Sequence, residues 1–324
     1  MKVKEKLSKE LVAQLYRQMF LIRRFEEKSA QMYMLGKIRG FLHLYIGEEA
    51  IAVGSIPVLQ PEDYVVTHYR DHGHALARGI APKVVMAELF GKVTGSSKGK
   101  GGSMHLFDRR LNFMGGYAIV GGQLPVAVGL ALASKLRAEK SVALCFFGDG
   151  ALNQGEFHES MNLASLWKLP VLFFLENNLY GMGSHIDRTF AGGREVHRAA
   201  DHYRMAARRV DGMDILAVRD TTQEALEWCR SGKGPYFIEA ETYRFRGHSM
   251  ADPEEYRDKE EEALWRPRDP LSNFRRFLTE EGWAGQGEVE MIEGEVEREI
   301  EEAVRFAEES PEPPPETLVE DIYA

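Results

Sequence analysis

The chain has 324 residues, 44% of them hydrophobic, and its 41 basic against 50 acidic side chains give a formal charge of −9. This is enough for a sizeable core in one large α/β domain or two small ones, and the acidic balance argues against general nucleic-acid binding, which needs a clustered basic surface. Cys145 and Cys229 form no Cys-x-x-Cys pair, which disfavours a disulfide framework or thiolate zinc site, and no run nears the roughly eighteen apolar residues of a membrane span.

Met1 to Lys6 mixes both charges and lacks the apolar core of a signal peptide, so a soluble cytoplasmic protein is expected. Ser8 is placed to cap a long helix in which Leu11, Leu15, Met19, Ile22 and Phe25 recur at helical spacing up to Gly36. A short helix is expected from Gly47 towards Pro57, a strand over 63–69, and helices over 71–78 and 82–90. Residues 94–103 read as a flexible basic loop. The Ala-, Val- and Leu-rich stretch 121–136 predicts a helix packed inside the protein. Apolar strands are expected at 142–147, 171–175 and 236–240, with helical stretches between them, as in a parallel sheet with helices on both faces. Residues 188–204 have no periodicity and predict a mobile loop. The charged stretch 251–270 precedes a helix over 288–309 and an extended proline-rich arm from Pro311. The whole reads as one α/β domain with an N-terminal helical segment (about 1–60) and a C-terminal helical arm (about 260–324).

The chemistry concentrates after the strand ending at Phe147. Asp149 stands between Gly148 and Gly150, which let backbone approach a ligand closely, and a helix starting near Gln154 turns its amide end towards an anion. Between Gly150 and Asn177 lie 26 residues, room for one helix and one strand, so Asp149 and Asn178 should emerge side by side at adjacent strand ends. A carboxylate and an amide oxygen are hard ligands suited to Mg²⁺, and together they suggest a magnesium diphosphate site. An ordinary Gly-Asp-Gly turn competes with this reading. Nucleotide fingerprints fail at named residues: Thr94 occupies the first glycine position of a phosphate loop, and Asn153 the third glycine position of a dinucleotide fold. His68 and His72 have the spacing of helix-borne zinc ligands but lack the accompanying His-Glu-x-x-His pattern.

Gly148-Asp-Gly followed by Asn177-Asn178 resembles the thiamine diphosphate signature. With 68–73, 99–105, 119–123, 176–183 and 247–253, the chain from Leu11 to Tyr323 resembles the α subunits of thiamine diphosphate-dependent 2-oxo acid dehydrogenases, the pyruvate group above all. The resemblance implies Mg²⁺ held by Asp149, Asn178 and the carbonyl of Tyr180. It implies Tyr69 and Arg70 at the diphosphate, Ala118 and Val120 beside the cofactor, and close backbone approach at Gly148, Gly150, Ala151 and Gly181. Ala118 stands where some relatives carry glycine. By the same resemblance His43 matches a histidine on the substrate side, His248 matches the active-centre histidine and should also lie near the cofactor, and Ser249 matches a phosphorylation position of animal relatives. The implied activity is oxidative decarboxylation of pyruvate with acetyl transfer to a lipoyl group on the dihydrolipoyl acetyltransferase component. The chain's length allows only the diphosphate half of such a site, implying a β subunit in an α₂β₂ heterotetramer. Branched-chain 2-oxo acid or acetoin enzymes are the alternatives within the family; a nucleotide-binding dehydrogenase or a silent scaffold are those outside it.

Overall fold

In the computed structural model, which describes residues 7–322, six strands join into one parallel sheet. The readings placed on Met1 to Lys6 and on Tyr323 lie outside the described residues. In chain order the strands are β1 (Tyr64–His68), β2 (Phe113–Tyr117), β3 (Ala143–Gly148), β4 (Val171–Asn177), β5 (Tyr180–Gly181), β6 (Ser184–His185), β7 (Ala206–Asp211) and β8 (Tyr236–Glu241). The sheet order is β2-β1-β3-β4-β8-β7, and β5 and β6 form a separate antiparallel ribbon. β3 and β4 are apolar runs with almost every residue buried, as central parallel strands must be. Their register sets Gly148 opposite Glu176, so Asp149 and Asn178 leave neighbouring strand ends together, as the spacing predicted.

Two sheet strands lie where no strand was expected. β2 carries two glycines, and β7 reads Ala-Ala-Arg-Arg-Val-Asp with both arginines exposed. Both are edge strands, where only one neighbour sets register and apolar patterning is weak. From β1 the chain steps outward to β2, then crosses back to β3 on β1's other side and continues to β4. Winding reverses there, and in open α/β sheets a ligand crevice forms beyond the strand ends at such a reversal.

The helices are α1 (Lys9–Met34), α2 (Glu49–Ser55), α3 (His72–Arg78), α4 (Pro82–Leu89), α5 (Gln123–Leu136), α6 (Gly155–Leu166), α7 (Ile215–Arg230), α8 (Lys259–Trp265), α9 (Pro270–Glu280) and α10 (Gln286–Glu309). Ser8 Oγ caps α1 by accepting the Leu11 amide at 3.2 Å, and Leu15, Met19, Ile22 and Phe25 are buried. Polar residues of α1 reach α10: Tyr16 donates to Glu293, and Arg17 and Arg24 pair with Glu299 and Glu297. α5 is apolar from Leu124 to Ala133, yet Pro125, Gly129 and Leu136 are exposed, so it is only partly inside. The stretch expected to be an irregular loop contains a 3-10 helix, Val196–Tyr203, because Val196 and Ala200 are buried and Glu239 accepts the His197 amide at 2.8 Å. α9 lies within the stretch read as a helical arm, though no separate helix was placed there; Asp269 caps it by accepting the Leu271 and Ser272 amides. No helix among the described residues is long and apolar enough to cross a membrane.

Candidate functional site

A cavity of about 380 Å³ opens at the carboxyl ends of the central strands. His43, Tyr69, Arg70, Ala118, Val120, Gly148, Asp149, Gly150, Ala151, Asn178, Tyr180, Gly181 and His248 all line it. Ser249 does not. The fold thus gathers every residue singled out for cofactor or substrate, drawn from the loop before α2, the turns after β1, β2, β3 and β4, and the loop after β8.

Asp149 is buried, its Oδ2 has no hydrogen-bond partner among the described residues, and burial pushes its carboxyl up to about 7. Asn178 Oδ1 accepts the Tyr180 amide at 3.2 Å, while its Nδ2 donates to Glu48 Oε1 at 3.0 Å. That donation fixes which end of the amide is oxygen. At Gly181 an added Cβ would lie 3.2 Å from Gly150 Cα and 3.8 Å from Asp149 Oδ2, so the two turns touch through bare backbone. An unpartnered carboxylate oxygen, an oriented amide oxygen and two glycine turns make a donor set that fits a hard cation bridging to an anionic group. Positive charge is supplied by Arg70 and Arg244, both lining the cavity. Arg70 is held by the carbonyls of Leu44 (2.8 Å) and His248 (3.0 Å), and burial, then Arg244, draws it down to about 10.

Two histidines face the same space. The ring centroids of His43 and His248 are 5.1 Å apart, and each lies within 5.7 Å of Tyr69. Burial first and Arg70 second hold His43 down to about 2 and His248 down to about 3. Both imidazoles are therefore neutral at physiological pH, with Nδ1 unpartnered among the described residues. The His248 loop is pinned by Asp252, which accepts the His248 amide at 2.6 Å.

Several lining residues were missed by sequence reasoning: Glu48, Glu176, Arg244 and Met104. Glu48 reads as an ordinary acidic start to α2, and Arg244 and Met104 arrive from loops whose path the sequence does not reveal. Glu176 carried a usable signal, a charge inside an otherwise apolar strand. Burial pushes its carboxyl up, but His74 and His68 outweigh burial and hold it well below the usual range. The zinc pairing weighed for His68 and His72 does not form. His72 instead bonds Glu26 (2.9 Å) and Ser103. His68, His74 and Glu176 do converge, with ligand atoms within 4.8 Å of one another. The chemistry of His68 argues against a metal there. Its Nδ1 accepts the Arg70 amide at 3.1 Å, so Nε2 carries the proton and donates to Glu176 rather than offering a lone pair.

The Dehydrogenase E1 component family model matches residues 17–316. The pyruvate dehydrogenase E1 component subunit alpha of Rhizobium meliloti is 48% identical over 316 residues, covering 97% of this chain and 90% of that protein. The chloroplastic subunit alpha-3 of Arabidopsis thaliana is 46% identical, over 98% of this chain and 76% of its own length. That of Rickettsia bellii is 44% identical, over 99% and 98%.

Proposed function

The chain belongs to the Dehydrogenase E1 component family, and from that premise we propose that it is the α subunit of a thiamine diphosphate- and Mg²⁺-dependent pyruvate dehydrogenase. It decarboxylates pyruvate oxidatively and passes the acetyl group to the lipoyl group of a dihydrolipoyl acetyltransferase, working with a β subunit in an α₂β₂ heterotetramer. The carrying observation is the unpartnered Oδ2 of buried Asp149 beside the Glu48-oriented amide of Asn178. Relatives named for pyruvate favour that substrate over branched-chain 2-oxo acids or acetoin. The chain serves as one diphosphate-type domain, and its two buried free cysteines suit the cytoplasm.

Asp149, Asn178 and the Tyr180 carbonyl would hold Mg²⁺, while Arg70 and Tyr69 take the diphosphate end. Ala118, Val120 and the backbone from Gly148 to Ala151 and at Gly181 shape its bed. Bound thiamine diphosphate supplies the nucleophilic carbon and the electron sink for loss of carbon dioxide. The protein's part is placement and proton handling. Neutral His248 holds or moves a proton at Nδ1, and neutral His43 donates or accepts beside pyruvate without adding charge. Buried walls around them strengthen each polar contact by excluding water. Co-expression with a β subunit, followed by side-by-side assay of pyruvate, 2-oxoisovalerate and acetoin, tests the reading. Turnover of pyruvate by the pair and not by this chain alone is expected; full turnover by the chain alone refutes the heterotetramer.

A further inference from the structure

The glycine-rich basic loop between α4 and β2 is folded around a buried carboxylate. Glu88, on α4 and fully buried, accepts four main-chain amides: Ser97 at 2.7 Å and Gly99 at 2.9 Å on Oε2, Gly101 at 2.7 Å and Gly102 at 3.1 Å on Oε1. Amides that converge in this way form an anion nest, filled here by the protein's own side chain. The fit is close, since a Cβ added at Gly95 would lie 2.2 Å from Glu88 Oε2.

Immediately after the nest the chain reaches the cavity. Ser103 Oγ bonds His72 Nε2 at 2.9 Å and accepts the His43 amide at 3.4 Å, and Met104 lines the cavity itself. His72 is in turn fixed by Glu26 at 2.9 Å, so the loop's inner end is tied to α1. On its outer side Lys98 and Lys100 pair with Asp321, whose carboxylate is more than half exposed. Exposed pairs hold weakly and are screened by salt. Charge-assisted bonds to a buried carboxylate are the stronger kind, so the inner anchor dominates.

We propose that Glu88 is a positioning residue that sets the His43–Met104 wall of the cavity by organising residues 95–104, and that it thereby governs pyruvate binding rather than cofactor binding. The proposal rests on the assignment of pyruvate to this cavity. A glutamine at 88 keeps the size but offers one acceptor oxygen and turns an NH₂ towards two amide donors. In the reconstituted heterotetramer, E88Q should raise KM for pyruvate about tenfold, leave kcat within about threefold, and leave affinity for thiamine diphosphate with Mg²⁺ within about twofold. Trypsin should cut E88Q faster at Lys98 and Lys100, whereas D321A should match wild type in KM. Unchanged KM for pyruvate in E88Q despite faster cleavage would overturn the proposal, as would equal losses in KM, kcat and cofactor affinity. Should E88Q fail to assemble, S103A, which cuts the loop's link to His72 and His43, decides: a raised KM for pyruvate supports the proposal and an unchanged one overturns it, as would amide exchange at Gly99 and Gly101 of the wild-type tetramer at free-loop rates. A wild-type tetramer inactive on pyruvate defeats the functional assignment, while the exchange measurement still judges the nest.

Discussion

Glu48 is the residue on which the proposed Mg²⁺ site should turn without Glu48 itself touching the cation. Its Oε1 accepts from Asn178 Nδ2 at 3.0 Å, and its Oε2 has no hydrogen-bond partner among the described residues, with Arg70 Nε 3.8 Å away. Burial, then Glu176, pushes its carboxyl upward, so its charge is costly and the hydrogen bond is its clearest contribution. Glu48→Leu removes that bond and leaves the Tyr180 amide alone, at 3.2 Å, to keep the Asn178 amide from turning its nitrogen towards the cation. A hydrogen bond to a charged partner is worth about 1.5–3 kcal/mol, and loss of a partner behind a metal ligand costs about ten- to a hundredfold in affinity. Glu48→Gln keeps an acceptor oxygen for Asn178 and drops the charge, so it should stay within about threefold of wild type. Calorimetric titration of Mg²⁺ into the complex reconstituted with a β subunit, at saturating thiamine diphosphate, separates the two. Wild-type Mg²⁺ affinity in Glu48→Leu would refute the reasoning; equal weakening in both variants would transfer the effect from the hydrogen bond to the charge.

Because burial and Arg70 hold His248 down to about 3, its charge state is constant across the assay range. The ratio of wild-type to His248→Asn activity should therefore be flat from about pH 5.5 to 8, and a ratio titrating near pH 6.5 would contradict the neutral assignment. Gly36 and Gly47 both have positive φ, +71° and +107°, but an added Cβ meets nothing at Gly36 and lies 2.3 Å from the Tyr243 carbonyl oxygen at Gly47. Gly36→Ala should cost about 1 kcal/mol and Gly47→Ala roughly 3 kcal/mol or more, read from thermal melts and soluble yield; equal melting temperatures would sink the distinction.

Residues whose partners are close in sequence announced themselves. The α1 stripe and its Ser8 cap could be read because helical spacing is local, and Asp149 and Asn178 because one helix and one strand fix their separation. β2 and β7 could not, since an edge strand needs no apolar alternation and its pairing is decided by a distant neighbour. Glu48 pairs with Asn178 across 130 positions, and Tyr45 donates to Glu176 across 131. No local pattern encodes those meetings. Glu88 is the instructive middle case: its partners lie only 9 to 14 residues away, yet they are main-chain amides, to which side-chain identity gives no clue beyond the glycines.

The cavity also inverts the usual rule for buried polar atoms, nearly all of which find partners. Asp149 Oδ2, Glu48 Oε2, Gln123 Oε1, and Nδ1 of both His43 and His248 belong to residues lining one space, and each is left without a hydrogen bond among the described residues. Each such atom costs about 1–3 kcal/mol in a folded chain. Around them, the supporting groups are satisfied: Arg70 by two carbonyls, Glu176 by His68, His74 and Tyr45, and Glu88 by four amides. Polar atoms left bare in one space, among neighbours whose bonds are saturated, form a rigid frame with open valences. The strand reversal between β1 and β3 explains why they coincide. It brings the ends of β1, β3 and β4 side by side, so the Arg70, Asp149 and Asn178 turns line one cavity.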